Sequence, residues 1–349
     1  MPPLTRVSRR VFTGRAVLSA AAIALPALGI RAQPESRRVT ISLSARAAFC
    51  HLPLTIAERL GYFRAEGLQV SFSDFASDLQ AVQALADGAA DVCAGGFEHT
   101  LCPQSWQPVY QSFVLQGRAP QIAFGISTKT LPGFRSVAEL KGRRVGISDA
   151  ESSSTMLAHL VLSQAGLKAF EVHLTDIGRA GAALTALRTG QVDAISNSDP
   201  LMTLLEQKGE VRILHDTRTL KGTAEVFGGP MPAACLLAPQ GFIRKNPETC
   251  QALANALVHA LKWLQTAGPG DLLQAVPESY LLGDRALYLA AFSKVRESIS
   301  LDGVMADEAP PTALRALARI DAGLKGRQID VSKTYTNAFA QRAKERYRA

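Results

Sequence analysis

A copy of one thirteen-residue segment within the chain constrains its fold more than any other feature. ALADGAADVCAGG (84–96) aligns without gaps on ALRTGQVDAISNS (186–198), 102 positions later. In each copy a helical pattern stops at a glycine, Gly88 or Gly190, where a left-handed C-cap is expected. An Asp and a short apolar run follow, and small polar residues close the segment. The same offset relates a helix expected near Leu52 to one near Ser154. Each of these runs into Gly-Leu (Gly67–Leu68, Gly166–Leu167) and then an extended stretch, 69–72 or 170–174. Both halves therefore read strand, helix, strand, helix, strand.

Strands alternating with helices of this length predict parallel sheets covered by helices. VTISLS (39–44), RVGIS (144–148) and VDAIS (192–196) have the continuous apolar character of buried strands. Open α/β sheets bind ligands beyond the C-terminal ends of their strands. The segments that would line a cleft between two such lobes are 45–52, 73–78, 95–100, 148–155, 175–181 and 196–200.

Charge argues against a nucleic-acid partner. The chain carries 38 basic and 30 acidic residues, but Arg6, Arg9, Arg10, Arg15 and Arg31 stand in the first 32 residues with no acid. Without them 33 basic and 30 acidic groups leave +3, which is no footprint for DNA. The arginine-rich start precedes VLSAAAIALPALGI, an apolar run too short for a stable membrane span. Residues 1–32 are expected to be an export signal, and the Arg9–Arg10 pair followed by Phe12 points to the twin-arginine route into the periplasm. The five cysteines include no C-x-x-C pair, so neither zinc nor a redox dithiol is indicated. No metal and no cofactor is expected.

Several motifs together resemble the periplasmic substrate-binding proteins of nitrate, sulfonate and taurine ABC importers, a family related to the thiamine pyrimidine-precursor binding proteins. The resemblance is carried by HLPLTIAERLGYFRAEGLQV (51–70), ALADGAADVCAGG, SVAELKGRRVGIS (136–148), ALRTGQVDAISNSDP (186–200) and IDVSKTYTNAFA (329–340). It implies an α/β, type II periplasmic binding protein fold: two Rossmann-like lobes with a hinge and an interlobe cleft. The chain would cross between lobes near 129–132 and 228–233. Lobe 1 is then 39–129 plus 233–349, and lobe 2 is 130–232. It also implies a monomer that captures a small organic anion or zwitterion, sulfonate- or carboxylate-like, by hinge closure. The closed form would deliver that solute to an ABC permease and its ATPase in the inner membrane.

Candidate ligand-binding residues follow from the cleft segments. Ser152, Ser153, Ser154 and Thr155 open a helix, whose first N–H groups lack internal partners; a plain N-cap is the competing reading. Arg46 and Arg179 could pair with an anionic headgroup, or be solvated. Cys50 and His51 stand at the mouth of the first helix. Gly95 and Gly96 would let a ligand approach the backbone, and Phe97 would pack on the ligand or in the core. Asn197 could hydrogen-bond ligand, whereas Asp199 before Pro200 reads equally as the cap of the next helix. Asp74, Asp78, Glu98, Asp149 and Glu151 favour a zwitterion as much as a simple anion. No catalytic motif is present, and no catalytic residue is expected. An enzyme of the thiamine-related branch and a periplasmic ligand sensor are the alternatives.

Overall fold

The computed structural model describes residues 37–101, 109–150, 152–321, 323–324 and 329–349. The export signal expected over 1–32, Cys102 and Glu151 lie outside these residues. Among the described residues ten strands form two five-stranded sheets. β1 (Arg37–Ser44), β2 (Leu68–Phe75), β3 (Val92–Gly96), β4 (Tyr110–Leu115) and β10 (Ala234–Pro239) make the first, in the order β2-β1-β3-β10-β4. β5 (Ile122–Ser127), β6 (Arg144–Ile147), β7 (His173–Asp176), β8 (Ala194–Ser198) and β9 (Val211–Asp216) make the second, in the order β7-β6-β8-β5-β9. In each sheet the first three strands of that order are parallel and the last two pairings antiparallel. The two lobes thus share one topology. This is the type II periplasmic binding protein fold.

Helices cover both sheets: α1 (Leu52–Arg59), α2 (Tyr62–Ala65), α3 (Asp78–Ala86), α4 (Ser153–Gln164), α5 (Ala180–Arg188), α6 (Leu201–Gln207) and α7 (Leu220–Phe227). The C-terminal part adds α8 (Gln240–Lys245), α9 (Pro247–Thr266), α10 (Pro269–Ala275), α11 (Arg285–Val295), α12 (Ala309–Ile320) and α13 (Ala338–Tyr347). α9 packs on α1 and α13, and its Leu253, Leu257 and Leu261 share a core with Val39, Ile41 and the α1 residues Leu54 and Ile56.

The repeated segment does the same work in both sheets. α3 and α5 each end at a glycine with φ near +70° or +76°, Gly88 and Gly190, and the next N–H returns to the last turn (Ala89 to Ala84, Gln191 to Ala186, both 2.9 Å). That closure requires left-handed backbone, which glycine adopts without penalty. Three residues later Asp91 and Asp193 clamp the neighbouring central strand. Asp91 accepts from the Thr40 N–H at 2.8 Å and Asp193 from the Arg144 N–H at 3.0 Å. Each aspartate's own N–H bonds back to the same residue's carbonyl. The pattern G-x-x-D is therefore a register lock between two parallel strands.

Three features differ from the sequence reading. Strand β8 begins two residues later than 192, because Asp193 is taken up by the clamp. Residues 122–127 were expected with the first lobe, yet β5 pairs with β8 and β9, so the chain first passes between sheets at 116–121. Lastly, α12 lies within the stretch assigned to lobe 1, but packs against α4 and α7.

Candidate functional site

The strand ends of both sheets converge on a cavity of about 690 Å³, counting space open to solvent. From the first sheet come Ser44 at the end of β1, Cys50 and His51 at the start of α1, Asp78 at the start of α3, and Gly95 and Gly96 at the end of β3. The second contributes Ser148, Ser152, Ser153, Ser154, Arg179, Ser198 and Asp199. Gln121, on the first passage between sheets, completes the wall.

The serines fall into two roles. Ser154 is wholly buried, and its hydroxyl accepts the Ser148 N–H at 2.9 Å while meeting the Ser148 and Ser152 hydroxyls at 2.7 Å each. These contacts bind the loop after β6 to the first turn of α4. Ser153 instead donates to Glu98 Oε1 at 2.9 Å, a bond between the two halves of the molecule. The Glu98 carboxylate lies against Gly96, where a Cβ would stand 2.3 Å from its present position and displace it. No side-chain hydrogen bond caps α4 at Ser152. Ser152, Ser153 and Ser154, at the start of this twelve-residue helix, line the cavity and place the positive end of its dipole there.

His51 is 4% exposed, and its Nδ1 has no hydrogen-bond partner. Burial drives its pKa down to about 4, so the imidazole is neutral at pH 7. Gln121 Nε2 is likewise buried without a partner. Nearly all buried polar groups in folded proteins are paired, and leaving one unpaired costs about 1–3 kcal/mol. Arg179 supplies positive charge, held 3.4 Å from Asp149. Asp78 bonds the Ser44 hydroxyl and leaves a carboxylate beside it. Burial, aided by Asp78, pushes the Cys50 thiol up to about 12. Among the described residues no cluster of three or more His, Cys, Asp or Glu could hold a metal.

Of the thirteen candidate residues, nine line this cavity and four do not. Arg46 turns away: its guanidinium lies 4.2 Å from the centre of the Phe72 ring and pairs with Glu58 and Asp74. Phe97 is fully buried in hydrocarbon with Leu101, Leu115 and Leu237. Thr155 is buried and gives its hydroxyl to the Asp149 carbonyl at 2.5 Å. Asn197, in β8, is spent on backbone, donating to the Gly178 carbonyl after β7 and accepting from the Ser198 N–H. Asp199 reaches the wall, but its carboxylate caps α6 through the Thr203 N–H and pairs with buried Arg218. Cys50, Cys93, Cys235 and Cys250 are free thiols.

Ser44 and Ser148 escaped the sequence reading as ligand candidates, though both stand where a central strand ends. Gln121 carried no signal at all. It adopts a left-handed φ of 61° on a passage that the periodicity did not place.

Comparison with known proteins gives this geometry a lineage. Residues 48–267 match the family model described as NMT1/THI5 like. The riboflavin-binding protein RibY of Chloroflexus aurantiacus is 27% identical over 322 residues, which cover 88% of this chain and 87% of the relative. A solved structure from Bordetella bronchiseptica RB50 is 48% identical, with a TM-score of 0.86 over 90% of this chain and 99% of that one. The alkanesulfonate-binding protein SsuA of Xanthomonas axonopodis pv. citri, solved with MOPS bound, shares the fold at 19% identity. Its TM-score is 0.65 over 87% of this chain and 99% of that one. Among the described residues no helix is long and apolar enough to cross a membrane. The chain belongs to the NMT1/THI5-like family and shares its fold with periplasmic solute-binding proteins.

Proposed function

We propose that the chain is the solute-binding component of an ABC importer, exported by the twin-arginine route and working in the periplasm. It captures a small organic anion or zwitterion, sulfonate- or carboxylate-like, between its lobes and releases it to a membrane permease driven by an ATPase. The observation that carries this reading is the pair of unpartnered buried nitrogens, His51 Nδ1 and Gln121 Nε2, at the wall of a cavity that also holds Arg179 and the start of α4. A ligand rich in acceptor oxygens would satisfy them. One helix terminus contributes only about 0.3–2 kcal/mol, whereas hydrogen bonds to a charged group contribute roughly 1.5–3 kcal/mol each. A few of these together reach the roughly −8 kcal/mol of micromolar binding. Asp78 beside them gives a cationic or N–H group on the same ligand a place to sit.

Cysteine-based covalent chemistry fits the site poorly. The nucleophile of a cysteine enzyme is the thiolate, and burial holds Cys50 as the thiol. Thermal unfolding with methanesulfonate, taurine, acetate, nitrate and an aminopyrimidine tests the class. Ligand at a hundred times its Kd adds about 2.7 kcal/mol of stability. A hit recovered intact after hours with the protein supports capture; one consumed by it would make the chain an enzyme, and silence from the sulfonates and carboxylates would remove the proposed ligand class.

A further inference from the structure

A second recess of about 1400 Å³, counting space open to solvent, adjoins the polar cavity: Ala45, Ala48, Arg179, Ser198 and Asp199 line both. Chemistry changes across that shared rim. The inner cavity presents nitrogens and hydroxyls. The outer recess is walled by Leu184, Leu201 and Leu204 from α5 and α6, and across from them by Tyr280, Leu282 and Leu287. The first three follow the second sheet's strands, and the other three belong to the C-terminal part. Leu184, Leu204 and Tyr280 are only half-buried, and Leu282 is 57% exposed.

Apolar side chains left open to water in one patch mark a binding region more often than unfinished packing. Ligand pockets commonly join such walls to a few placed polar groups. Nitrate, taurine or methanesulfonate would fill the inner cavity and leave the leucine-lined recess to water. Resting on the binding role proposed above, the geometry points to a two-part ligand: an oxyanion head in the inner cavity, and an apolar tail of at least one aromatic ring in the recess between α5–α6 and residues 280–287. Ring geometry suits the rim. Arg179 lines both the cavity and the recess, where a guanidinium plane stacks on aromatic faces, and Tyr280 offers an edge or a face. Because its two walls come from different parts of the chain, the tail also ties the lobes together.

The test is calorimetric titration with methanesulfonate, benzenesulfonate and naphthalene-2-sulfonate, and in parallel with acetate, benzoate and 2-naphthoate. The first ring is expected to tighten binding at least about tenfold, the second further, as burial of a Phe-sized group predicts. Leu204→Ser is expected to cut the gain from the first ring to under about threefold. Leu282→Asn should act the same way at an exposed position whose φ of 51° suits Asn, so folding is preserved. Equal affinity for the one-carbon and the naphthyl compounds overturns this inference alone, as does the full gain persisting in both variants. No response to any of the six compounds overturns this inference and the proposed ligand class together.

Discussion

Phe97 and Asp199 occupy the same place in the two halves, one residue beyond β3 and one beyond β8, 102 positions apart. The side chain of each is wholly buried, yet one sits in hydrocarbon and the other in an ion network. Arg218, 0% exposed, pairs there with Asp199, Asp216 and Glu206, and Lys294 of α11 adds a second cation to Glu206. The starts of α1 and α4 differ in the same manner. Half-buried Cys50 and buried His51 are neutral, whereas Ser152, Ser153 and Ser154 exchange hydrogen bonds with one another and with Ser148 and Glu98. A repeat can thus keep backbone geometry while exchanging apolar for polar means of filling the same space.

The sharpest way to break this comparison is at the buried pair. Arg218→Met strips Asp199, whose pKa burial already raises, of its cation in the interior and is expected to cost about 3–5 kcal/mol in urea unfolding. Phe97→Leu, a hydrophobic swap of similar volume, should cost under about 1.5 kcal/mol. Equal losses would show that the two ends are held alike after all.

The two helix starts should also part in their response to acid. The folded pKa of His51 lies near 4, below the unfolded value of 6.5, so the unfolded chain binds a proton first. Stability from this group is complete above pH 6.5 and is lost as pH falls toward 4. At 1.36 kcal/mol per unit the loss amounts to about 3 kcal/mol. Burial lowers His159, His215 and His259 in the same direction, so His51→Gln should reduce the slope measured by unfolding across pH 4–7 without abolishing it. An unchanged slope would mean that the imidazole is not held neutral at the start of α1.

Within α4 the serines should separate stability from binding. Ser154→Ala removes the acceptor of the buried Ser148 N–H and is expected to cost about 1–3 kcal/mol of stability. Ser153→Ala lies at the cavity and should change stability by less than about 0.5 kcal/mol, while weakening the ligand found by thermal screening. If Ser153→Ala leaves affinity intact, the hydroxyl serves only the bond to Glu98. Glu98→Gln keeps that acceptor and is the smallest change of all: unfolding should move by a few tenths of a kcal/mol.

Much of the architecture was readable because it rests on local signals. Gly88 and Gly190 end helices, Asp91 and Asp193 follow at fixed spacing, and apolar runs mark β1, β6 and β8. The cavity loops were placed for the same reason, since strand ends in such sheets face one way. Side-chain direction was another matter. Arg46 and Arg179 each follow a strand, but Phe72 and Glu58 draw Arg46 aside while Arg179 turns inward. Glu98 and His99 are indistinguishable as sequence, and only the packing brings Glu98 to Ser153.

By itself the sequence determined the repeated strand–helix order and the helix starts at the cavity, because caps, periodicity and glycine conformations act over a few residues. Only the tertiary structure decided that β5 joins the second sheet, that Arg218 is sealed among three carboxylates, and that His51 and Gln121 are left with nitrogens unpaired. Those outcomes depend on contacts between segments distant in the chain, where burial and the competition for hydrogen-bond partners are settled by packing.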